Sequence, residues 1–237
     1  MTETKNDAAT EIGRGPLSRG AAVIYRMLVL EAQLLLALLP TALVVVLLDR
    51  DASNLPLFLL ALIPVAPALV AGVAAVRAAA ASPDLAPARH FLRAYRRDLV
   101  PTLRWAVPAA VALAVLSFNL THLGDVDGGA ALRPVTLLVA ASIVVWCGHM
   151  VVLTAAFRFR TRDAARIALV QLLPGWRFSV GILALLVVAA FVVLAASELV
   201  LLVLLWAFTV LLALMARPVI DEVTNRFTRE GAAPSRP

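Results

Sequence analysis

Glu31, Gln33 and His149 are polar side chains embedded in long apolar runs, and any chemistry this chain performs inside a membrane has to be built from them. A carboxylate at mid-membrane costs about 2.5–3.5 kcal/mol on insertion scales, so Glu31 is expected to face protein or water and to have a partner. At about 1.5 Å per helical residue, Glu31 lies about 12 Å from Val23 at the start of its run. His149 lies about 12 Å from Phe157 at the end of its own run, so the two are level. One reading is a Glu31–His149 pair serving as a proton or substrate site. The other is structural, with the pair held for packing or Glu31 reaching Arg26, Arg104 or Arg177. Gln33 is expected to hydrogen-bond another helix, a contact worth about 0.6–2 kcal/mol.

Other chemistry is sparse. His90, His122 and His149 fall on different segments, too far apart to share an ion, so no metal site is expected. No phosphate-binding glycine loop, serine nucleophile motif or paired intramembrane carboxylate appears, which argues against an enzyme and against a bound cofactor. Cys147 is the single cysteine, so no intrachain disulfide forms. Pro64 and Pro67 interrupt one apolar run and Pro108 another. Such prolines free backbone carbonyls, either as static kinks or as ligand sites of transporters. Gly72 with Ala68, and Ala71 with Ala75, give small-xxx-small packing faces.

The elements that must hold these residues are six apolar stretches, at roughly 23–48, 55–76, 102–120, 134–157, 179–196 and 199–215. Crossing a hydrocarbon core of about 30 Å takes about 20 helical residues. With 62% hydrophobic residues and a mean hydropathy of +0.93, the chain is far above soluble composition. The fold expected is all-α: a polytopic membrane protein with six transmembrane helices. Residues 1–20 form a disordered tail, 21–217 the membrane domain and 218–237 a second tail.

Charge orients it. Of the 21 Lys and Arg residues, 19 lie in segments 1–26, 77–104, 158–177 and 217–237, and only Arg50 and Arg133 lie in the alternate loops. Basic loops stay in the cytoplasm, so both termini are expected there, in the bacterial inner membrane. The pI of 10.9 then reflects orientation and anionic head groups, and no nucleic-acid partner is expected.

Two cytoplasmic loops carry amphipathic patterns. In 88–100 the residues Ala88, Phe91, Leu92, Tyr95 and Leu99 form one face, while Arg89, Arg93, Arg96 and Arg97 occupy the other. This predicts an interfacial helix with its aromatic side in the acyl boundary. A weaker copy comprises Ala165, Ala168, Leu169 and Leu172. Leu99-Val-Pro-Thr-Leu-Arg-Trp105 aligns with Leu172-Leu-Pro-Gly-Trp-Arg-Phe178, 73 residues on. In each, a helix is expected to end at proline, with Arg104 or Arg177 anchoring the next span among head groups. The unit is an interfacial helix plus a membrane hairpin, repeated.

Several of these segments resemble the YesL-like family of bacterial membrane proteins. Leu30-Glu-Ala-Gln-Leu-Leu-Leu-Ala-Leu-Leu-Pro40 resembles that family's first span, which closes in Leu-Pro. Pro67-Ala-Leu-Val-Ala-Gly-Val-Ala-Ala-Val-Arg77 is similar to its second. Phe91-Leu-Arg-Ala-Tyr-Arg-Arg-Asp98 is similar to its aromatic-and-basic segment, and Ala165-Arg-Ile-Ala-Leu-Val-Gln-Leu-Leu-Pro174 to the later counterpart. The likeness covers nearly the whole chain and departs from it over 41–66. The family carries no established activity, and its members often accompany carbohydrate-uptake genes. The resemblance therefore implies a non-enzymatic accessory or component of a carbohydrate-uptake system, partnered by the permease subunits of a sugar ABC transporter. The basic surfaces make Arg89, Arg93, Arg96, Arg97, Arg104 and Arg177 the expected contacts to a partner or to anionic head groups. The alternative is a small secondary transporter using Glu31 and the proline-broken helices.

Overall fold

The computed structural model describes residues 16–81, 87–125 and 128–229. Among them all regular structure is helical. Helix α1 runs Pro16–Leu47, 32 residues or roughly 48 Å. A one-turn 3-10 segment, Ala52–Asn54, follows, capped where the Asp51 carboxylate accepts from the Ser53 N–H at 2.8 Å. Helices α2 (Leu55–Ala61) and α3 (Val65–Ala81) are two halves of one apolar stretch, bent by 42° across residues 62–64. Pro64 lies in that break and has no N–H with which to continue the helix. From α1, the Thr41 hydroxyl donates to the Ala61 carbonyl at 2.7 Å, satisfying an acceptor at the end of α2.

Helix α4 runs Pro87–His122, and α5 (Gly129–Ala156), α6 (Thr161–Val170) and α7 (Trp176–Ala195) follow. The last apolar stretch is also broken, into α8 (Glu198–Val203) and α9 (Leu205–Met215), and α10 (Arg217–Arg229) closes the described chain. Four helices, α1, α4, α5 and α7, are long and apolar enough to cross a membrane, and α2 with α3 makes a fifth if the bent pair is one span. That is the make-up of a membrane protein. The sixth expected span does not form a single crossing helix, because Leu204 divides it.

Other expectations are revised. Residues 88–100 do not form a separate helix. They are the first turns of the 36-residue α4, which continues through Pro101 and Pro108. Thr102 and Leu103 after Pro101 accept helical geometry, and the Thr102 hydroxyl donates to the Asp98 carbonyl at 2.6 Å within the proline turn. Pro174, followed by Gly175, does end its helix: a turn over 171–175 separates α6 from α7. Gly175 adds to the cost of a continued helix, about 1 kcal/mol relative to alanine. The tail expected at 218–237 begins with a helix, whose Val219, Ile220 and Val223 are buried. Of the first tail, residues 1–15 lie outside the described chain, and α1 starts within the remainder, at Pro16.

Two buried clusters hold the bundle. The larger joins Val70 and Val73 of α3 to Trp105, Val145, Met150, Leu153, Phe178, Leu212 and Val223. The other packs Leu30, Leu34 and Leu38 of α1 against Ala68, Ala71 and Ala75 of α3 and Phe91 and Ala94 of α4. Small residues let α3 approach its neighbours closely. A methyl group added at Gly72 would stand 2.7 Å from Thr209 Cγ2 on α9 and 3.4 Å from Leu34. At one end of the bundle Arg50 pairs with Glu198 at 3.0 Å, linking the turn before α2 to the first residue of α8. At the other, the Asp221 carboxylate on α10 attracts the Arg77 guanidinium on α3.

Candidate functional site

The break between α8 and α9 leaves the first N–H groups of α9 without intrahelical acceptors. No local side chain caps them, since the preceding residue is Leu204. The acceptor comes from α1: Glu31 Oε2 receives the Trp206 N–H at 2.8 Å, across 175 positions of sequence. A carboxylate at a helix N-terminus also meets the positive end of the helix dipole. Glu31 Oε1 is buried and has no hydrogen bond among the described residues. Together with Thr41, this makes α1 the helix that completes both broken stretches, one at a carbonyl end and one at an N–H end. Neither role is visible in local sequence. The break at Leu204 has no proline or glycine to signal it.

The structure does not join Glu31 to His149. Helix α1 packs on α3, α4 and α9, whereas His149 is fully buried on α5 against α7. Its ring meets Phe178 edge-on, with centroids 4.9 Å apart. Its Nδ1–H donates to the Val145 carbonyl at 3.1 Å, which assigns the bare lone pair to Nε2. That nitrogen abuts Gly175: a Cβ there would stand 3.2 Å from it. Gln33 serves a third partner, its amide donating to the Ala88 carbonyl at 3.0 Å and tying α1 to the start of α4. The three intramembrane polar residues thus make three separate helix–helix or local contacts and share no cavity.

The basic residues divide in two. Arg89, Arg93 and Arg96 are exposed along one stripe of α4, and Arg104 and Arg177 are exposed beside the buried Trp105 and Phe178. Arg97, at the edge of the stripe, turns to its neighbour: its Nε donates to Asp98 Oδ1 at 2.7 Å and an Nη to Oδ2. Phe91 is buried against α1 and α3, not in the acyl boundary, and stacks with Tyr95 at 6.0 Å. Among the described residues no group of three or more His, Cys, Asp or Glu side chains converges to hold a metal. Comparison of the chain with protein-family models, with curated proteins and with solved structures gives no match.

Proposed function

We propose that this chain is a six-span inner-membrane protein with both termini in the cytoplasm, serving as a non-enzymatic accessory or component of a carbohydrate-uptake system. Helices α8 and α9 together make the sixth crossing, and the basic end of the bundle is the cytoplasmic one. The observation that carries the reading is the disposition of α4. Its aromatic side is spent on packing against α1 and α3, which leaves Arg89, Arg93 and Arg96 as a fixed basic ridge about 10 Å long, at about 1.5 Å per residue. A ridge held by a packed helix loses little entropy on docking, which favours a protein contact over a loose lipid anchor. The carbohydrate context comes from the YesL-like resemblance, and the partners it implies are sugar permease subunits.

A small secondary transporter is the second reading, and one observation favours it: a carboxylate with a free oxygen at the end of a broken helix. The same geometry gives Glu31 a structural use, which weakens its claim as a proton carrier. Uptake by the purified chain in proteoliposomes separates the two. The accessory reading expects no sugar movement under a proton gradient. Robust uptake by the lone protein, abolished by Glu31→Gln, would overturn it in favour of the transporter.

A further inference from the structure

At the end of the bundle carrying the basic loops, α4, α5 and the start of α6 enclose a cavity of about 200 Å³. Its polar walls are Arg97, Asp98, Thr154, Arg158, Thr161 and the buried Trp105. Arg97 spends two of its five N–H donors on Asp98, which orients the guanidinium and leaves three donors open. Among the described residues no hydrogen bond or ion pair ties down Arg158, which the sequence presents only as one of many loop arginines. Trp105 is 4% exposed, and its indole N–H has no acceptor among the described residues. Thr161 is the first residue of α6, so the positive end of that ten-residue helix opens on the same space. Two guanidinium groups against one carboxylate leave a net charge of about +1 in the cavity wall, and Asp163 in the first turn of α6 offsets that helix's dipole.

We infer that this cavity binds the phosphodiester of an anionic membrane lipid, with Arg97 and Arg158 as its charged contacts and Trp105 as part of its wall. A free phosphate offers the same chemistry, but the location favours a lipid. Trp105 also lines an apolar cavity of about 430 Å³ between α3, α4, α5, α7 and α9, walled by Leu69, Ala109, Gly148, Ile182 and Phe208. Polar pocket and apolar space thus meet at one indole, in the order of a lipid's head and chain. Basic pockets between spanning helices on the cytoplasmic side are where anionic head groups bind. The inference rests on membrane placement and is independent of any role in carbohydrate uptake.

The test titrates the purified full-length chain in detergent with phosphatidylglycerol, phosphatidylcholine or inorganic phosphate and reads binding by native mass spectrometry. Phosphatidylglycerol is expected to bind at least about tenfold more tightly than phosphatidylcholine. Arg97→Gln with Arg158→Gln is expected to erase that preference. Arg89→Gln with Arg93→Gln, equal in charge lost but outside the cavity, is expected to keep it. If Arg97→Gln prevents folding, Arg158→Gln carries the test by itself. Equal affinity for the two lipids, equal losses in the two double variants, or inorganic phosphate displacing the lipid at equal concentration would overturn the assignment.

Discussion

A carboxylate at membrane depth can hold a proton or accept a hydrogen bond, and conservative substitution separates the two uses at Glu31. Glutamine keeps an oxygen for the Trp206 N–H and leucine does not. An unsatisfied buried donor costs about 1–3 kcal/mol. Amide exchange at Trp206 is therefore expected to stay slow in Glu31→Gln and to rise roughly tenfold or more in Glu31→Leu. Equal exchange in both variants would show that Glu31 does not cap α9. The residues themselves were legible in sequence, because a Glu in an apolar run is conspicuous. The partner was not, because a backbone N–H at a break 175 positions away leaves no local pattern. His149 shows the same limit: equal depth suggested Glu31, but packing placed Phe178 and Gly175 around it.

At the scale of elements, periodicity located the apolar stretches, and what it left undecided was where each helix stops. Pro101 and Pro174 sit in matching heptapeptides, yet only the one followed by glycine ends its helix. The polar composition of 218–237 reads as a tail, although Val219, Ile220 and Val223 follow a helical spacing and are buried in α10. The contact of α3 with α9 gives a sharp expectation. Thr209 is fully buried, branched at Cβ and bonded through its hydroxyl to the Leu205 carbonyl, so it cannot turn away from a methyl placed at Gly72. Gly72→Ala is expected to destabilise by about 1–3 kcal/mol in thermal unfolding, and adding Thr209→Ser, which removes the clashing Cγ2, to recover most of it. No recovery would mean that the two helices are not in this register. The turn before α2 has its own signature. Hydrogen bonds from the Ser53 hydroxyl and N–H hold the Asp51 carboxyl below its ordinary value. A lowered folded value means that the cap is fully formed above the ordinary carboxylate range of about 4 and is lost only as pH falls through the lower, folded value. An amide-shift titration of Ser53 should find its midpoint below that range, and a midpoint within it would remove the cap.

For the whole molecule, Arg50 and Glu198, assigned by charge to the same side, meet in an ion pair, and at the other end the Asp221 carboxylate attracts Arg77. Cysteine labelling in a Cys147→Ala background tests the crossings. Ala130→Cys and Glu198→Cys should label from outside intact cells, and Arg217→Cys only after permeabilisation. Outside labelling at Arg217→Cys would mean that α8 and α9 do not cross, leaving five spans. We propose that α4 docks a partner through a ridge stiffened by its buried aromatic side. The most direct test is co-purification from native membranes, with recovery of associated permease subunits normalised to the amount of this chain. Hot-spot behaviour is expected: Arg93→Glu, or Arg89→Glu with Arg96→Glu, should remove the partner at normal membrane abundance. Recovery of every partner unchanged in all of these variants would rule out docking through α4 and leave the ridge as a lipid anchor.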